Sequence, residues 1–439
     1  MEYLSANKIL VVNLDTSEIT DEELDSDLVG EKIGGAALAK HLYQQHVDGD
    51  PIIIGTGLLT GTLFPAAAAG VITAKSPVTG KVCHCPITLK VGLEIQYSGF
   101  DYIVIKGQSP KPVFLWIHDG VADIDSAADV WGKDVWQTTD AWRKTMGDDL
   151  IQTVVIGKAG EDRSDLAQVC YNYWASGDRF GFGKSFGTKN LKGLAFRGMG
   201  LLEISDAEEF VELALDVLEE VKEGGFVGKK GIGDLCAAIG ETDVNAWLAP
   251  IVHRHSACYN TPYAGNTFVF LDEDAGKLTE PEHPEPGFLI TDMFGLIGFK
   301  KLGLSAADAC TLLKACAKYG VDAAGVAELS QAAGKKTPAE IQAAIPTLTG
   351  AVTRGGRGIF SPWCPTQPLF ADFDDAGENP AAWWERRMAV AAIFGIHPLF
   401  AVMSPEITED DLLESATVGT GIEFSPAALD SAVDYLLEQ

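Results

Sequence analysis

Cysteine and long apolar runs are both scarce in this sequence. Eight cysteines in 439 residues form no dense framework, which excludes a disulfide-stapled scaffold and favours reduced thiols or metal ligands. The sequence contains no apolar run of about 18 residues, and the N-terminus MEYLSANKILVV lacks the basic flank of a signal peptide. We therefore expect no membrane span and a cytoplasmic location.

Positive charge is also scarce. The sequence has 33 Lys and Arg residues against 62 Asp and Glu residues, which gives a formal net charge of −29. Such a charge repels nucleic acid and anionic membrane surfaces. Because the acidic residues are spread along the chain, they indicate a solvated, self-repelling surface, and we expect neither nucleic acid nor membrane as a partner.

Two kinds of pattern divide the chain. The first half contains short apolar runs broken by turn residues, which is typical of strands: KILVVNL, PIIIGTG, GVITAK, DYIVIKG, PVFLWI, LIQTVVIG and LKGLAFRG. Beyond residue 208 the apolar residues recur with helical spacing, as in AEEFVELALDVLEEVKEG. The pattern predicts an α+β fold with a β-rich domain over residues 1–208 and helical domains over 209–439, the latter with a further division near residue 345. Ser205 or Asp206 is the expected N-cap at the boundary.

One polar, proline-rich stretch interrupts the helical half. AGNTFVFLDEDAGKLTEPEHPEPG is too rich in proline and charge for a helix. We expect a loop or a hairpin there.

The stretch DRFGFGKSFGTKNLKG, residues 178–193, ends its first part in the Gly-Lys-Ser of a phosphate-binding P-loop. A P-loop needs glycine five residues before that sequence, and Asp178 stands there instead. A carboxylate repels phosphate, and the preceding CYNYWASG is not the apolar strand that leads into a P-loop. A P-loop nucleotidase is thus disfavoured, which leaves a different phosphate cradle or a glycine-rich turn.

The order of segments between residues 8 and 198 resembles the N-terminal domain of the aldehyde ferredoxin oxidoreductase family. The segments that carry the resemblance are KILVVNLDTSEI, GEKIGGAALAKHLY, GTGLLTGT, AKSPVTG, SGFDYIVIKG, KPVFLWIHDG, WGKDVWQT, IGKAGED and GTKNLKGLAFRG. In the helical half only CAKYGVDAAG and AIFGIHPLF are similar. Family members are usually longer, so the resemblance implies a divergent and C-terminally shortened member.

The resemblance implies a cofactor, a tungsten or molybdenum ion held by pyranopterins whose phosphates need glycine loops and cations. On the positions that match the family, the implied cofactor-binding residues are Lys75, Ser76, Arg179, Gly181, Gly183, Lys184, Lys189 and Asp322. Arg179 is the expected chief cation, because a guanidinium offers a planar fork of donors to phosphate. For Lys184 and Lys189 the alternative is a solvated loop lysine.

The resemblance fails at the family's iron–sulfur cluster. Family members hold a 4Fe–4S cluster with four cysteines, whereas this chain keeps Cys258 and has His255, Pro262 and His397 at the other matching positions. One thiolate does not hold a cubane, so we predict that this cluster is absent. His255, Cys258 and His397 leave two alternatives, a mononuclear metal site or histidines that fill space.

Other positions of the family's site also differ. Residues that bind the pterin in the family correspond to Ala69, Ala317 and Ala392, and an acid/base position corresponds to Leu289. The run Cys83-His84-Cys85 lies near the expected mouth of the site, but without a second cysteine pair it is a weak metal signal.

These observations leave two main hypotheses. The first is an oxidoreductase that acts on an aldehyde or related oxo group through a tungsten or molybdenum pterin, with a ferredoxin-like electron carrier as partner. The second is a non-catalytic scaffold or accessory subunit that keeps the fold and binds a protein partner. In both cases we expect an oligomer.

Overall fold

The apolar runs at the start of the chain form a six-stranded mixed sheet. The computed structural model describes residues 3–224, 228–271, 287–350, 352, 358–361, 379–399, 404 and 406–438. The strands are β1 Lys8–Asn13, β2 Glu18–Glu23, β3 Ile52–Thr56, β4 Gly70–Lys75, β5 Val82–Ile87 and β6 Tyr102–Lys106. Their order is β2-β1-β6-β3-β4-β5, with β1 and β6 parallel and the other neighbours antiparallel.

A second six-stranded sheet follows in sequence. It contains β7 Val113–His118, β8 Val121–Ser126, β9 Gln152–Ile156, β10 Val169–Tyr171, β11 Trp174–Ala175 and β12 Leu191–Arg197. The order is β11-β10-β9-β12-β7-β8, and β12 and β7 form the parallel pair. The central strand β9 is buried along its whole length, as expected for a β-branched run covered on both faces.

Short helices cover and connect these two sheets. They are α1 Ser26–Lys32, α2 Gly35–Gln45, α3 Val91–Tyr97, α4 Val135–Met146, α5 Lys158–Glu161 and α6 Phe182–Thr188. Helix α4 begins with a capping box in which Asp134 and Gln137 bond each other's backbone N–H groups, and it ends at Gly147. Its buried Trp136 and Trp142 fix it against the second sheet.

The second half is mostly helical. Its helices are α7 Ala207–Glu223, α8 Gly231–Ala238, α9 Val244–Leu248, α10 Met293–Lys301, α11 Ala306–Tyr319, α12 Ala323–Ala332, α13 Pro338–Ala344, α14 Pro380–Phe394, α15 Glu409–Thr420 and α16 Pro426–Leu437. Asp206 caps α7 by accepting the N–H of Glu209 at 3.1 Å, so the N-cap expected at the boundary is confirmed.

A small antiparallel sheet lies within the helical half. It consists of β13 Val252–Ser256, β14 Asn266–Phe270 and β15 Gly287–Ile290, in that order. The expected hairpin is therefore present as the pair β14 and β15, and residues 272–286 between them lie outside the described part of the chain.

The two halves share one continuous apolar core. The end of α14 docks on the first sheet, where the N–H of Leu59 donates to the carbonyl of Phe394 at 2.9 Å. The turn between α11 and α12 docks on the second sheet, where Val321 bridges to Ala167. The fold is thus α+β, a β-rich base followed by helices, as predicted. Among the described residues, no helix has the length and apolar character needed to cross a bilayer.

Candidate functional site

The loop before α6 is organised by Asp178. Its buried carboxylate accepts the N–H of Phe180 at 2.7 Å and the N–H of Phe182 at 2.8 Å. Gly181 provides the left-handed turn into the helix, with φ of +79°. Two backbone N–H groups of the loop therefore donate to a carboxylate of the same loop. This arrangement argues against a P-loop and indicates a turn that is stabilised by its own side chain.

Ser76 connects the AKSP segment to this loop. Its buried hydroxyl donates to the carbonyl of Phe180 at 2.7 Å and accepts the N–H of Thr79 at 3.0 Å. The neighbouring Lys75 is exposed at the end of β4. The structure thus brings Ser76 to the loop as a structural hydrogen-bonding group, while Lys75 lies at the surface.

Arg179 joins the loop to the helical half. Its Nε lies 4.0 Å from Asp322 Oδ2, and its guanidinium lies 5.5 Å from the centre of the Phe294 ring. Its backbone N–H donates to the Ser361 hydroxyl at 3.0 Å. Two of the predicted cofactor-binding residues, Arg179 and Asp322, therefore meet, and both are buried.

Asp292 is a further acidic group at this junction that the sequence analysis missed. It caps α10 by accepting the N–H of Gly295 at 2.9 Å. Burial, and next the negative charge of Asp322, raise the pKa of Asp292 to about 6, and the positive charge of Arg179 opposes the rise. The only signal in the sequence was an aspartate directly before a helical pattern, which marks an N-cap and not a site.

The remaining predicted loop residues do not converge on one point. Gly183 packs against the chain, since a side-chain carbon there would lie 2.6 Å from the Gln168 carbonyl oxygen. Lys184 forms a surface ion pair with Asp165 at 2.6 Å. Lys189 lies at the other end of α6, where its Nζ donates to the Gly107 carbonyl at 3.2 Å and burial lowers its pKa.

A cavity lies between the base and the helical half. It encloses about 640 Å³ of empty space, part of it open to solvent. One wall comes from the base, and the other comes from the helical half, including α8, the start of α10 and the segment after α14. Its lining includes Pro86, Leu89, Ala175, Ser176, Gly177, Ile232, Leu235, Cys258, Asn266, Thr291, Asp292, Met293, Phe294, His397, Pro398 and Leu399.

His397 and Cys258 both line this cavity. His397 is 8% exposed, its pKa is lowered to about 4 by burial, and its Nδ1 has no hydrogen-bond partner in the described part of the chain. Burial raises the pKa of the Cys258 thiol, whose Sγ accepts from Asn266 Nδ2 at 3.6 Å. At neutral pH the cavity therefore contains a neutral imidazole and a protonated thiol.

The third residue of the predicted metal site lies elsewhere. His255 is on β13, and its Nδ1 is 3.1 Å from the Thr267 hydroxyl. Within the described ranges, no group of three or more His, Cys, Asp or Glu side chains is placed to hold a metal ion. Pro262 is exposed beyond β13 and is not part of the cavity lining.

A second pocket of about 320 Å³ adjoins the cavity and shares Pro86 and Pro398 with it. Ala69, Ala392 and His84 line it, so two of the positions that differ from the family's pterin contacts lie together. Cys83 and Cys85 point to the opposite face of β5 from His84, because side chains alternate along a strand. The three side chains of the Cys-His-Cys run therefore cannot hold one ion together.

The segment Ile359–Ser361 covers the outer edge of β5. The N–H of His84 donates to the Ile359 carbonyl at 2.7 Å, and the Ser361 N–H donates to the His84 carbonyl at 2.9 Å. The Ser361 hydroxyl donates to the Gly177 carbonyl at 2.8 Å. This segment therefore ties β5 of the first sheet to the loop of the second.

The architecture is two mixed sheets that form a base, with a cavity beneath a helical half. Residues 9–198 match the family model described as "Aldehyde ferredoxin oxidoreductase, N-terminal domain". The match covers 190 of the 439 residues, and over this region the chain is similar to that family.

Comparison with individual relatives shows how much of each sequence is similar to this chain. The chain is 33% identical over 282 residues to the tungsten-containing aldehyde ferredoxin oxidoreductase of Pyrococcus abyssi, a match that covers 62% of this chain and 44% of that protein. It is 28% identical over 243 residues to the aliphatic sulfonate oxidoreductase, WOR-like subunit, of Pyrococcus furiosus, covering 50% of this chain and 39% of the relative. The chain thus spans less than half the length of these relatives.

A solved structure extends the similarity to the helical half. The active site complex BamBC of benzoyl coenzyme A reductase, in complex with 1,5-dienoyl-CoA, superposes with a TM-score of 0.75 over 100% of this chain and 89% of that chain. At 16% identity this match shows a shared fold alone.

The described loop does not fit the pterin phosphate that the family resemblance implies. A phosphate needs donors that are not already satisfied by carboxylates. Here Asp178 accepts two of the loop N–H groups, Ser361 accepts that of Arg179, and the Arg179 guanidinium faces Asp322. Three backbone N–H groups of the loop are therefore already bonded to side chains of this protein.

Proposed function

We propose that this chain uses the aldehyde ferredoxin oxidoreductase fold as a non-catalytic binding scaffold, and that it binds a small organic molecule in the cavity between its halves. The observation that carries the proposal is the occupation of the loop donors by Asp178 and Ser361. A mostly apolar cavity with a few polar groups is the usual form of a small-molecule site.

A role as an accessory subunit follows from the same reasoning. One relative bears the name of a WOR-like subunit, and that name supports the proposal. Under this proposal the partner is another protein, and oligomerisation serves assembly and not electron transfer.

A second candidate is an oxidoreductase that acts on an aldehyde or related oxo group through a tungsten or molybdenum pterin. The tungsten in the names of relatives over 62% of the chain favours it. In that case a ferredoxin-like carrier would exchange electrons with the centre, and Arg179 would be the chief cation for the phosphate.

Metal and pterin analysis separates the two candidates. The protein is purified without oxygen from a host that makes the tungsten cofactor, and a cofactor-bearing relative from the same host serves as control. The scaffold proposal expects a control loaded with tungsten and pterin and a chain with only traces of both. Stoichiometric tungsten or molybdenum with pterin would reject it.

If metal is found, Arg179 provides the next test. A charge-assisted bidentate contact is worth about 1.5–3 kcal/mol, so Arg179→Ala should reduce cofactor retention roughly 10- to 150-fold. Arg179→Lys should restore little, because an ammonium does not reproduce the planar fork. Iron and sulfide measured on the same sample test whether the 4Fe–4S cluster is absent.

A further inference from the structure

His397 lines the cavity, and one of its ring nitrogens has no hydrogen-bond partner among the described residues. Nδ1 of His397 is buried and has no hydrogen-bond partner among the described residues. The backbone of this residue is fixed, since its N–H donates to the Ala66 carbonyl at 2.9 Å. A buried polar atom without a partner costs about 1–3 kcal/mol, so a ligand that supplies the missing bond gains in affinity.

Three other polar groups of the cavity are engaged within the chain. Thr291 donates its hydroxyl to the Ala175 carbonyl at 2.9 Å, across the two walls. Asn266 donates to Cys258, and Asp292 accepts from the start of α10. The unpartnered imidazole nitrogen is therefore the polar group on which the inference rests.

The lining residues also indicate the charge and polarity of the ligand. Asp292 presents a carboxyl group and Arg179 is not part of the lining, so an anion would meet negative charge without a cation. Leu89, Ile232 and Phe294 offer apolar contact to the body of the ligand. A charged group in such a lining loses hydration that nothing restores.

We propose that the cavity binds a neutral, mainly apolar molecule that carries a hydroxyl group, and that this hydroxyl pairs with Nδ1 of His397. A hydroxyl both donates and accepts, so it matches the imidazole in either tautomer, whereas a carbonyl matches only one. This inference rests on the proposed small-molecule site and adds its chemical class.

The test compares four probes of the same skeleton by titration calorimetry on the full chain. Benzyl alcohol carries the hydroxyl, toluene lacks it, and benzoate and benzylamine replace it with a charge. We expect benzyl alcohol to bind roughly 5- to 100-fold more tightly than toluene, and both charged probes to bind more weakly than benzyl alcohol.

Variants assign the preference to His397. His397→Leu should bring benzyl alcohol and toluene to similar affinities while toluene binding persists, and His397→Gln should restore part of the preference. His253→Leu is the matched control, because His253 is exposed on β13 and stacks on Phe270 outside the cavity. Toluene binding by His397→Leu also demonstrates that the variant is folded.

Two kinds of failure are distinguishable. Absence of binding by all four probes would overturn the small-molecule site itself. Equal affinity of wild type for benzyl alcohol and toluene, a preference for benzylamine or benzoate, or an unchanged preference in His397→Leu would overturn the hydroxyl inference and leave the site in place.

Discussion

Among single residues, Asp178 shows how one carboxylate converts a phosphate-loop sequence into a different structure. The loop keeps Gly181, Gly183 and the Gly-Lys-Ser order of a phosphate cradle. Because the side chain of Asp178 accepts two N–H groups of the following turn, it satisfies donors that an external anion would otherwise use. The sequence indicated the mismatch at this position, but only the structure shows which donors the carboxylate takes.

Asp178→Ala should destabilise the chain by about 2–4 kcal/mol, because it leaves two N–H groups of the loop without an acceptor. Asp178→Asn keeps one acceptor oxygen and should cost about half as much. Urea unfolding followed by tryptophan fluorescence measures the difference. Lys184→Ala, which breaks a surface ion pair in the same segment, is the control and should cost less than about 1 kcal/mol. Equal effects of Asp178→Ala and Lys184→Ala would contradict this account of the loop.

Asp292 makes stability depend on pH in a defined window. Its pKa is about 6 in the folded chain, whereas an unfolded aspartate has a pKa of about 3.9. The folded state therefore favours the protonated form, and the stability gained from protonation is complete below about pH 4 and is lost as pH rises through 6.

Asp292→Asn should consequently be more stable than wild type by about 1–3 kcal/mol at pH 7, with the difference vanishing near pH 4. Asparagine also keeps the cap of α10. Unfolding free energies of both proteins across this range test the claim. Asp206→Asn, at an exposed cap on α7, is the control for the loss of a carboxylate. A stability difference between Asp292→Asn and wild type that does not change with pH would contradict the role of Asp292.

Part of the candidate site could be predicted from the sequence. Arg179 and Asp322 were both expected there, and they lie 4.0 Å apart between their closest charged atoms. Ser361 could not be predicted, because it bonds Arg179 from 182 positions away and no local pattern encodes such a contact. Whether these residues bind a cofactor stays a prediction.

Among helices and strands, the elements with apolar periodicity were predictable and the others were not. All seven apolar runs of the first half are strands. Strand β2 was missed because EITDEE is charged and exposed along a sheet edge, where pairing with β1 and not burial defines the strand. Strand β5 was missed because Pro86 argues against a central strand, although it is compatible with an edge.

Helices α5 and α6 pack closely because both contain glycine at their contact. A side-chain carbon at Gly187 would overlap the carbonyl oxygen of Gly160. Gly187→Ala should therefore destabilise the chain by more than about 2 kcal/mol, since backbone must move to make room. The matched control is Gly30→Ala in α1, where nothing lies within 4 Å and the exchange should be neutral or stabilising by up to about 1 kcal/mol. Thermal unfolding of both variants measures the difference. Similar melting temperatures for Gly187→Ala and Gly30→Ala would contradict the predicted close packing of α5 and α6.

At the scale of the whole molecule, the net charge opposes the packing of the two halves. The formal net charge is −29, so acidic side chains on the two halves repel one another, whereas the shared core holds the halves together. Raising NaCl from about 20 mM to about 300 mM screens this repulsion and should raise the melting temperature by several degrees. At pH 4.5, close to the isoelectric point calculated from the sequence, the same salt should have little effect. Calorimetric scans at both pH values provide the measurement, and a lower melting temperature in salt at pH 7 would show that attractive ion pairs outweigh the repulsion.

The covering of β5 by Ile359–Ser361 has a consequence for biosynthesis. Strand β5 is complete at Ile87, but the segment that covers its edge is made only after more than half of the chain has followed. During that interval the nascent sheet presents unpaired N–H and carbonyl groups, which can recruit a strand from a neighbouring chain. Until Ile359–Ser361 is synthesised, the edge of β5 is therefore exposed to incorrect pairing with other chains. Slow synthesis at low temperature and refolding from dilute solution should shift the outcome toward the native sheet, formed within one chain.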